Sequence, residues 1–439
     1  MFSASAWGIL LQFIFAPILS RLYSPEVYGL FGIFNSWVVV IGVFVTLGYS
    51  QAFVLPEKDT EFRALLKLTT RGMLYISGAV TVVFIVGMPW INDWFNAEAL
   101  GYWTMLVGPM VLLLAADKII IDWSVRARAF KQQSLISLPV TLGTKLFNVG
   151  YGKFKSSTVE GLIITNGLLF AARIYLYFTR VLPNAREFLR LKVSPEELRA
   201  VKNDYKEYPR LVMWSNVLNT ASSYLPIVIL PIFLASTRPS GLFTYALLVL
   251  DLPTRLLGSA VTRVYYQRAV ELHRSSVEEM ADATWRLFKM LSLLVVLPLI
   301  ILGISGEWLY EFVFGSEWSE AGLLASILGG YYYFRLVSAP ISSVFNIVRK
   351  ERALFKFQSL LFSFRLVSLL LTCWQTDDLV TIIVVYTLAN ALTYIVLIGW
   401  IFFLCQKYMW RSVIMSLVIF AASATIVMAT RLLIDSLAH

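Results

Sequence analysis

The chain has 439 residues, of which 58% are hydrophobic and only 15% charged, with a formal net charge of +10. A soluble domain carries about 25% charged residues, so these apolar runs cannot be hidden inside one water-soluble core, and the composition describes a polytopic membrane protein. The positive charge is dealt out among short connections and not clustered on one surface, which excludes nucleic acid as a partner.

A bilayer-spanning helix needs about 20 mainly apolar residues. Thirteen runs meet this pattern: 1–20, 29–54, 69–90, 103–122, 135–151, 159–180, 211–235, 241–264, 287–305, 322–345, 355–373, 379–404 and 412–434. Span 1 has the length of a signal peptide, but it lacks a basic leader and Pro17 is followed by a bulky pair, so it stays as a span. Span 5 is short and carries Lys145. The polar stretch 183–209 lies between spans 6 and 7, and its SPEEL motif predicts a helix capped by Ser194 and opened by Pro195, with Glu196 and Glu197 in the first turn.

The chain also repeats itself. Residues 16–34, APILSRLYSPEVYGLFGIF, are echoed by 230–246, LPIFLASTRPSGLFTYA, with Pro17 and Gly29 matching Pro231 and Gly241. FKQQSL at 130–135 is echoed by FKFQSL at 355–360. These echoes divide the chain into a six-span lobe over 1–182, a cytoplasmic linker over 183–209, a second six-span lobe over 210–404 and an additional C-terminal span within 405–439. Six is even, so the lobes face the same way, related by a pseudo-two-fold along the membrane normal, as in parallel-repeat transporters.

Alternate connections hold nearly all the loop lysines and arginines, among them Lys58, Arg63, Arg126, Lys131, Arg199, Arg263, Arg274, Arg349, Lys350, Arg352, Lys407 and Arg411. The opposite side holds Arg21, Lys153, Lys155 and Arg238. Positive charge stays cytoplasmic, which places the N-terminus inside and, with an odd number of spans, the C-terminus outside. Trp90, Trp94, Trp103, Trp308 and Trp318 fall at the predicted outer boundaries, as an aromatic belt does. Cys373 and Cys405 sit at opposite ends of a span and form neither a disulfide nor a metal site.

Seven basic residues remain inside the spans: Lys118, Lys145, Arg173, Arg255, Arg335, Arg365 and Arg431. Arg173 and Arg431 lie near span ends, within snorkelling reach of water. Lys118 sits between Asp117 and Asp122, and Arg255 follows Asp251 by four residues, so each is either half of an ion pair or a substrate contact. Lys145, Arg335 and Arg365 fall near mid-span with no acid three or four residues away. A charge there costs at least about 2.5–3.5 kcal/mol and normally faces a bundle interior or an aqueous cavity. They hold either an anionic substrate or carbonyls freed by in-span prolines such as Pro139 and Pro340. Asp251 and Asp117 are counter-ions or ion-coupling residues. The YYYF run at 331–334 packs on lipid or on neighbouring helices, or stacks on sugar rings.

The segments PILSRLYSPEVYGLF at 17–31, TLGYSQAFVLPEKD at 46–59, KEYPRL at 206–211 and FVFGSEWSEAG at 312–322 resemble the Wzx-type oligosaccharide flippases of the polysaccharide-transport family, within the multidrug/oligosaccharidyl-lipid/polysaccharide exporter superfamily. Two features depart from that family: the chain opens inside span 1 without a basic leader, and it has thirteen spans where 12 or 14 are usual. The resemblance implies a bacterial inner-membrane protein that moves an undecaprenyl-pyrophosphate-linked oligosaccharide, such as an O-antigen repeat unit of lipopolysaccharide, to the periplasmic leaflet. It implies no cofactor, and as partners the lipid bilayer, a polysaccharide polymerase and chain-length machinery. A central cavity lined by Arg335, Arg365, Lys145, Arg255 and Lys118 would then hold the pyrophosphate. Two other readings remain open. An ion-coupled multidrug exporter shares the plan but calls for deep acids. A membrane glycan polymerase or ligase needs gathered acids and bases, whereas His273 and His439 are the only histidines and the outer loops are short.

Overall fold

The structure, a computed structural model, describes residues 2–182, 193–254 and 259–438. Among these the regular structure is helical, with no strand: α1 (Phe2–Ser20), α2 (Pro25–Val45), α3 (Asp59–Trp94), α4 (Val107–Arg126), α5 (Phe130–Phe154), α6 (Val159–Arg180), α7 (Pro195–Asp204), α8 (Met213–Leu234), α9 (Arg238–Pro253), α10 (Ser259–Ser275), α11 (Val277–Phe314), α12 (Ser319–Ile341), α13 (Val344–Ile347), α14 (Glu351–Gln375), α15 (Leu379–Leu404) and α16 (Met409–Ala438). Among the described residues helix occupies part or all of each expected span, and nine helices, against thirteen expected spans, are long and apolar enough to cross a membrane. The chain is an all-α polytopic membrane protein.

Local chemistry sets the boundaries. Ser24 accepts a hydrogen bond from the Val27 amide, with Pro25 next to it and Glu26 in the first turn, so α2 begins four residues earlier than its apolar run. That run was expected to reach residue 54, but it stops at Val45. Leu47 (φ 50°) and Gly48 (φ 74°) turn left-handed, and a short 3-10 turn, Tyr49–Ala52, follows. The capping box expected at Ser194 is present: its hydroxyl accepts from the Glu197 amide at 3.1 Å and Glu197 accepts from the Ser194 amide at 2.7 Å. Residues 183–192 of the predicted linker lie outside the described residues. The run 241–264 is carried by α9 and α10, and 255–258 lie outside the description.

The chain forms two compact units, 1–241 and 242–439. In the first, α2 packs on α4 and α8, and Tyr205, just past α7, donates to Glu61 of α3 at 2.8 Å. The repeated glycines meet each other here. A Cβ at Gly241 would lie 1.8 Å from the Pro25 carbonyl oxygen, and one at Gly29 would lie 1.9 Å from that of Thr237, so only glycine lets α2 and α9 approach so closely. Arg238 completes the contact with an ion pair to Glu26 at 3.1 Å. In the second unit α11 and α12 cross at Gly306 and Gly322, and α12 also packs on α15.

Two expectations fail in this packing. Trp318 is not a belt residue: it is fully buried, its ring 3.8 Å from that of Tyr245, whereas Trp90, Trp94 and Trp308 are exposed. Arg431 does not snorkel, because its Nε donates to the Gly303 carbonyl at 2.9 Å and its Nη1 meets Glu307 at 3.1 Å, tying α16 to α11. Both outcomes come from neighbouring helices, which a single span's sequence does not show.

The charge asymmetry of the loops gives a direct test of threading. Alkaline-phosphatase fusions after Ser157, Ser240 and Ser319 are expected to be active and fusions after Lys131, Arg199 and Arg352 inactive. Activity at Arg199 with silence at Ser240 would reverse the topology.

Candidate functional site

The deep charges fall into two groups. In the first unit, Asp117 on α4 is 3% exposed and receives two guanidinium bonds from Arg173 of α6, one from Nε at 2.8 Å and one from Nη2. Arg173 is therefore an inward-facing partner and not a snorkelling side chain. The carboxylate next to Lys118 is taken by this arginine, which leaves Asp122 as the acid whose charge Lys118 feels. Lys145 on α5 is half-buried, and no carboxylate stands within ion-pair distance of it among the described residues.

The second unit holds the denser arrangement. Asp251 sits two residues before Pro253, the last residue of α9. One turn separates Tyr332 from Arg335 on α12, which puts both on one face. The Arg335 Nη1 lies 3.3 Å from Asp251 Oδ1 and donates to the Tyr332 hydroxyl at 2.6 Å, and that hydroxyl donates to the same carboxylate at 2.9 Å. The guanidinium also sits 4.8 Å from the centre of the Tyr332 ring, within cation–π range. Sequence spacing paired Asp251 with Arg255, which lies outside the described residues; the partner described here is Arg335, from another helix.

Arg365 on α14 is 3% exposed. Its Nε donates to Asn390 Oδ1 and its Nη2 to the Tyr394 hydroxyl at 3.5 Å, both from α15. Asn390 is held in turn by its own bond to the Tyr386 carbonyl at 2.7 Å. The rings of Tyr331 and Tyr394 stack 6.3 Å apart and each lies 5.9 Å from the guanidinium carbon. Among the described residues all these partners are neutral, and Arg335 is close enough for the two positive charges to interact. The YYYF run thus packs on neighbouring helices, as one reading of the sequence held, and it lines the cations. Among the described residues neither arginine donates to a proline-freed carbonyl.

Chemically this is a buried, partly neutralised cation pair dressed with phenolic hydroxyls. A single acid offsets two guanidinium groups among the described residues, so the region retains a surplus of positive charge and five-donor forks suited to phosphate oxygens. No group of three or more potential metal ligands occurs among the described residues.

The model of a family described as polysaccharide biosynthesis protein matches residues 18–322, well over half of the chain. The chain belongs to this polysaccharide biosynthesis family. Its fold is similar to that of the lipid II flippase MurJ in an inward closed conformation, with TM-score 0.69 at 12% identity over 99% of this chain and 98% of the other. It is also similar to a multidrug resistance MATE transporter of the MOP superfamily, inward-facing, with TM-score 0.64 at 12% identity over 96% and 94% of the two chains. The outward-facing form gives 0.57 at 13% identity, over 96% and 95%. At such identities the likeness establishes a shared fold. No curated protein sequence matches significantly. Asp117, Lys118, Lys145, Arg173 and Asp251 lie inside the family match, while Arg335 and Arg365 lie beyond it.

Asn390 and Tyr394, which bond Arg365, were not singled out in the sequence, whereas Tyr332 was read only as a packing or sugar-stacking ring and Arg173 only as a snorkelling cation. A polar residue inside an otherwise apolar span is the signal that would have found Asn390, since α15 is apolar over nearly all of its length.

Proposed function

We propose that this member of the family flips an undecaprenyl-pyrophosphate-linked oligosaccharide from the cytoplasmic to the periplasmic leaflet of a bacterial inner membrane, for surface polysaccharide such as O-antigen. In this reading two six-span lobes, 1–182 and 210–404, joined by 183–209, alternate access, and the cations receive the pyrophosphate. The observation that carries it is Arg365, a buried guanidinium whose described partners are all neutral. A charge in that setting costs several kcal/mol unless something anionic or aqueous meets it. Lys145, Lys118 and Arg255 are proposed as further contacts. The prenyl tail stays in lipid, and no covalent step is required.

The multidrug-exporter reading draws on the same fold, but it fits the charges less well. Cationic drugs call for a free intramembrane acid, and both candidates, Asp117 and Asp251, are engaged by arginines. Ion coupling through Asp251 would have to release Arg335.

Deleting the gene separates the readings. The expected result is loss of surface polysaccharide, with lipid-linked repeat units accumulating and drug susceptibility unchanged. Sensitisation to cationic drugs with normal polysaccharide would favour the exporter.

A further inference from the structure

A second cationic feature lies away from the deep charges, at the loop-bearing end of the second unit. A cavity of about 1340 Å³ opens where the α10–α11 turn, the segment after α13 and the α15–α16 connection meet. Its walls carry His273, Arg274, Arg349, Lys350, Lys407 and Arg411. Among the described residues no acidic residue lines it.

These cations differ in how they are used. Lys407 is spoken for: its ammonium lies 2.9 Å from Asp282 and 2.7 Å from Glu278, which hold it above its ordinary pKa. Arg274, Arg349, Lys350 and Arg411 have no carboxylate within ion-pair distance among the described residues, whereas Arg126, on another basic connection, reaches Asp59 at 3.4 Å. Arg411 instead lies 5.8 Å from the centre of the Tyr408 ring. His273 adds a buried Nδ1 with no hydrogen-bond partner among the described residues.

Aromatic side chains share the walls. Phe403 and Trp410 are 62% and 70% exposed, placed where the helices leave the apolar layer, as interfacial anchors are. The backbone at the rim is fixed in an uncommon form. Arg349 (φ 55°), Gln406 (φ 58°) and Tyr408 (φ 67°) are left-handed, a conformation that non-glycine residues adopt only when their surroundings impose it.

We propose that this cavity binds the phosphate headgroup of a membrane lipid, with the acyl or prenyl chain leaving past Phe403 and Trp410. Guanidinium forks unspent on carboxylates suit phosphate oxygens, and basic pockets between helix ends at the cytoplasmic surface recognise anionic headgroups. Apolar rings beside the cations select an amphiphile over a free anion. The two sources of such a headgroup are bulk anionic phospholipid and a polyprenyl diphosphate, and both place the same chemistry in the cavity.

Native mass spectrometry in detergent tests this, on the full chain carrying Arg335→Ala/Arg365→Ala so that the deep cations do not compete for the same lipid, titrated in turn with phosphatidylglycerol, undecaprenyl pyrophosphate, phosphatidylcholine and inorganic pyrophosphate. Both anionic lipids, or the polyprenyl diphosphate alone, are expected to bind more tightly than phosphatidylcholine, and their ratio identifies the source. Each single variant should weaken binding about fivefold and the triple variant Arg349→Gln/Lys350→Gln/Arg411→Gln on the order of a hundredfold, from about 1 kcal/mol of headgroup attraction per basic residue. The single variants, matched to the parent in melting temperature, decide the matter if the triple variant does not fold. Lys153→Gln/Lys155→Gln, removing charge elsewhere, should change nothing. Unchanged binding in the single variants, equal binding of phosphatidylcholine, or inorganic pyrophosphate binding as tightly as the lipids would overturn the proposal. Arg335→Ala and Arg365→Ala should leave this binding detectable, so its failure and the failure of the flippase reading are separable.

Discussion

Arg365→Ala is expected to reduce surface-polysaccharide export to background in cells where this chain is the sole copy, while the variant still inserts in the membrane at normal amount. The side chain is buried, its Nε is held by Asn390 and its described partners are neutral. Nothing in that setting needs the charge for folding. Truncation therefore removes a group the helices carry at a cost, and the hydroxyl and amide left behind can bond to water in the site. Hydrogen bonds to a charged group contribute about 1.5–3 kcal/mol each, so losing a two-point phosphate contact amounts to at least a hundredfold or so in transport. Arg365→Lys is expected to recover only part, because an ammonium is a point charge and cannot hold two oxygens in a plane. Arg365→Met, which keeps the volume, should melt no lower than the parent in detergent. A large drop in its melting temperature would assign Arg365 to structure.

Asp117→Leu carries the opposite expectation, a loss of stability. The pair it forms with Arg173 is enclosed, with side-chain exposures of 5% and 19%, and breaking such a pair leaves an uncompensated cation between helices. The cost is on the order of 3–5 kcal/mol. Replacing both partners with apolar residues removes the stranded charge, so Asp117→Leu/Arg173→Met should recover most of the lost stability in a thermal melt. Equal loss in the single and double variants would mean that the pair does more than neutralise itself. Transport by a stable double variant would further show that neither residue is an ion-coupling group.

The two classes of charge were not separable by reading along the chain. Apolar run length located most of the helices among the described residues, nine of them long and apolar enough to cross a membrane, because the bilayer requirement acts on contiguous residues. The capping box at Ser194 was legible for the same reason, being complete within four residues, and so were Gly29 and Gly241, whose repeat marks the place where two backbones nearly touch. Charge partners follow a different rule. Spacing of three or four residues finds a partner on the same helix, but Arg173 meets Asp117 across 56 residues and Tyr332 meets Asp251 across 81. Arg335 consequently read as an unpaired cation although it has an acid beside it, and Arg173 as a snorkelling one. Among the described residues Arg365 and Lys145 have no carboxylate within ion-pair distance, as their spacing suggested. Trp318 shows the same limit: its position at a predicted boundary matched Trp308, but it is fully buried with the Tyr245 ring tilted against it.

Arg335 and Arg365 are proposed to hold the pyrophosphate. The most direct measurement is the affinity of purified protein for undecaprenyl pyrophosphate and for undecaprenol, which lacks the phosphates, compared between the parent chain and the Arg335→Ala and Arg365→Ala variants. All should be made in an Arg349→Gln/Arg411→Gln background that silences the second, loop-end cavity. The account predicts that the parent prefers the pyrophosphate lipid by at least about tenfold, one charge-assisted contact's worth, and that each alanine variant loses most of that preference. A parent chain that binds both lipids equally, or alanine variants that keep the full preference, would contradict it.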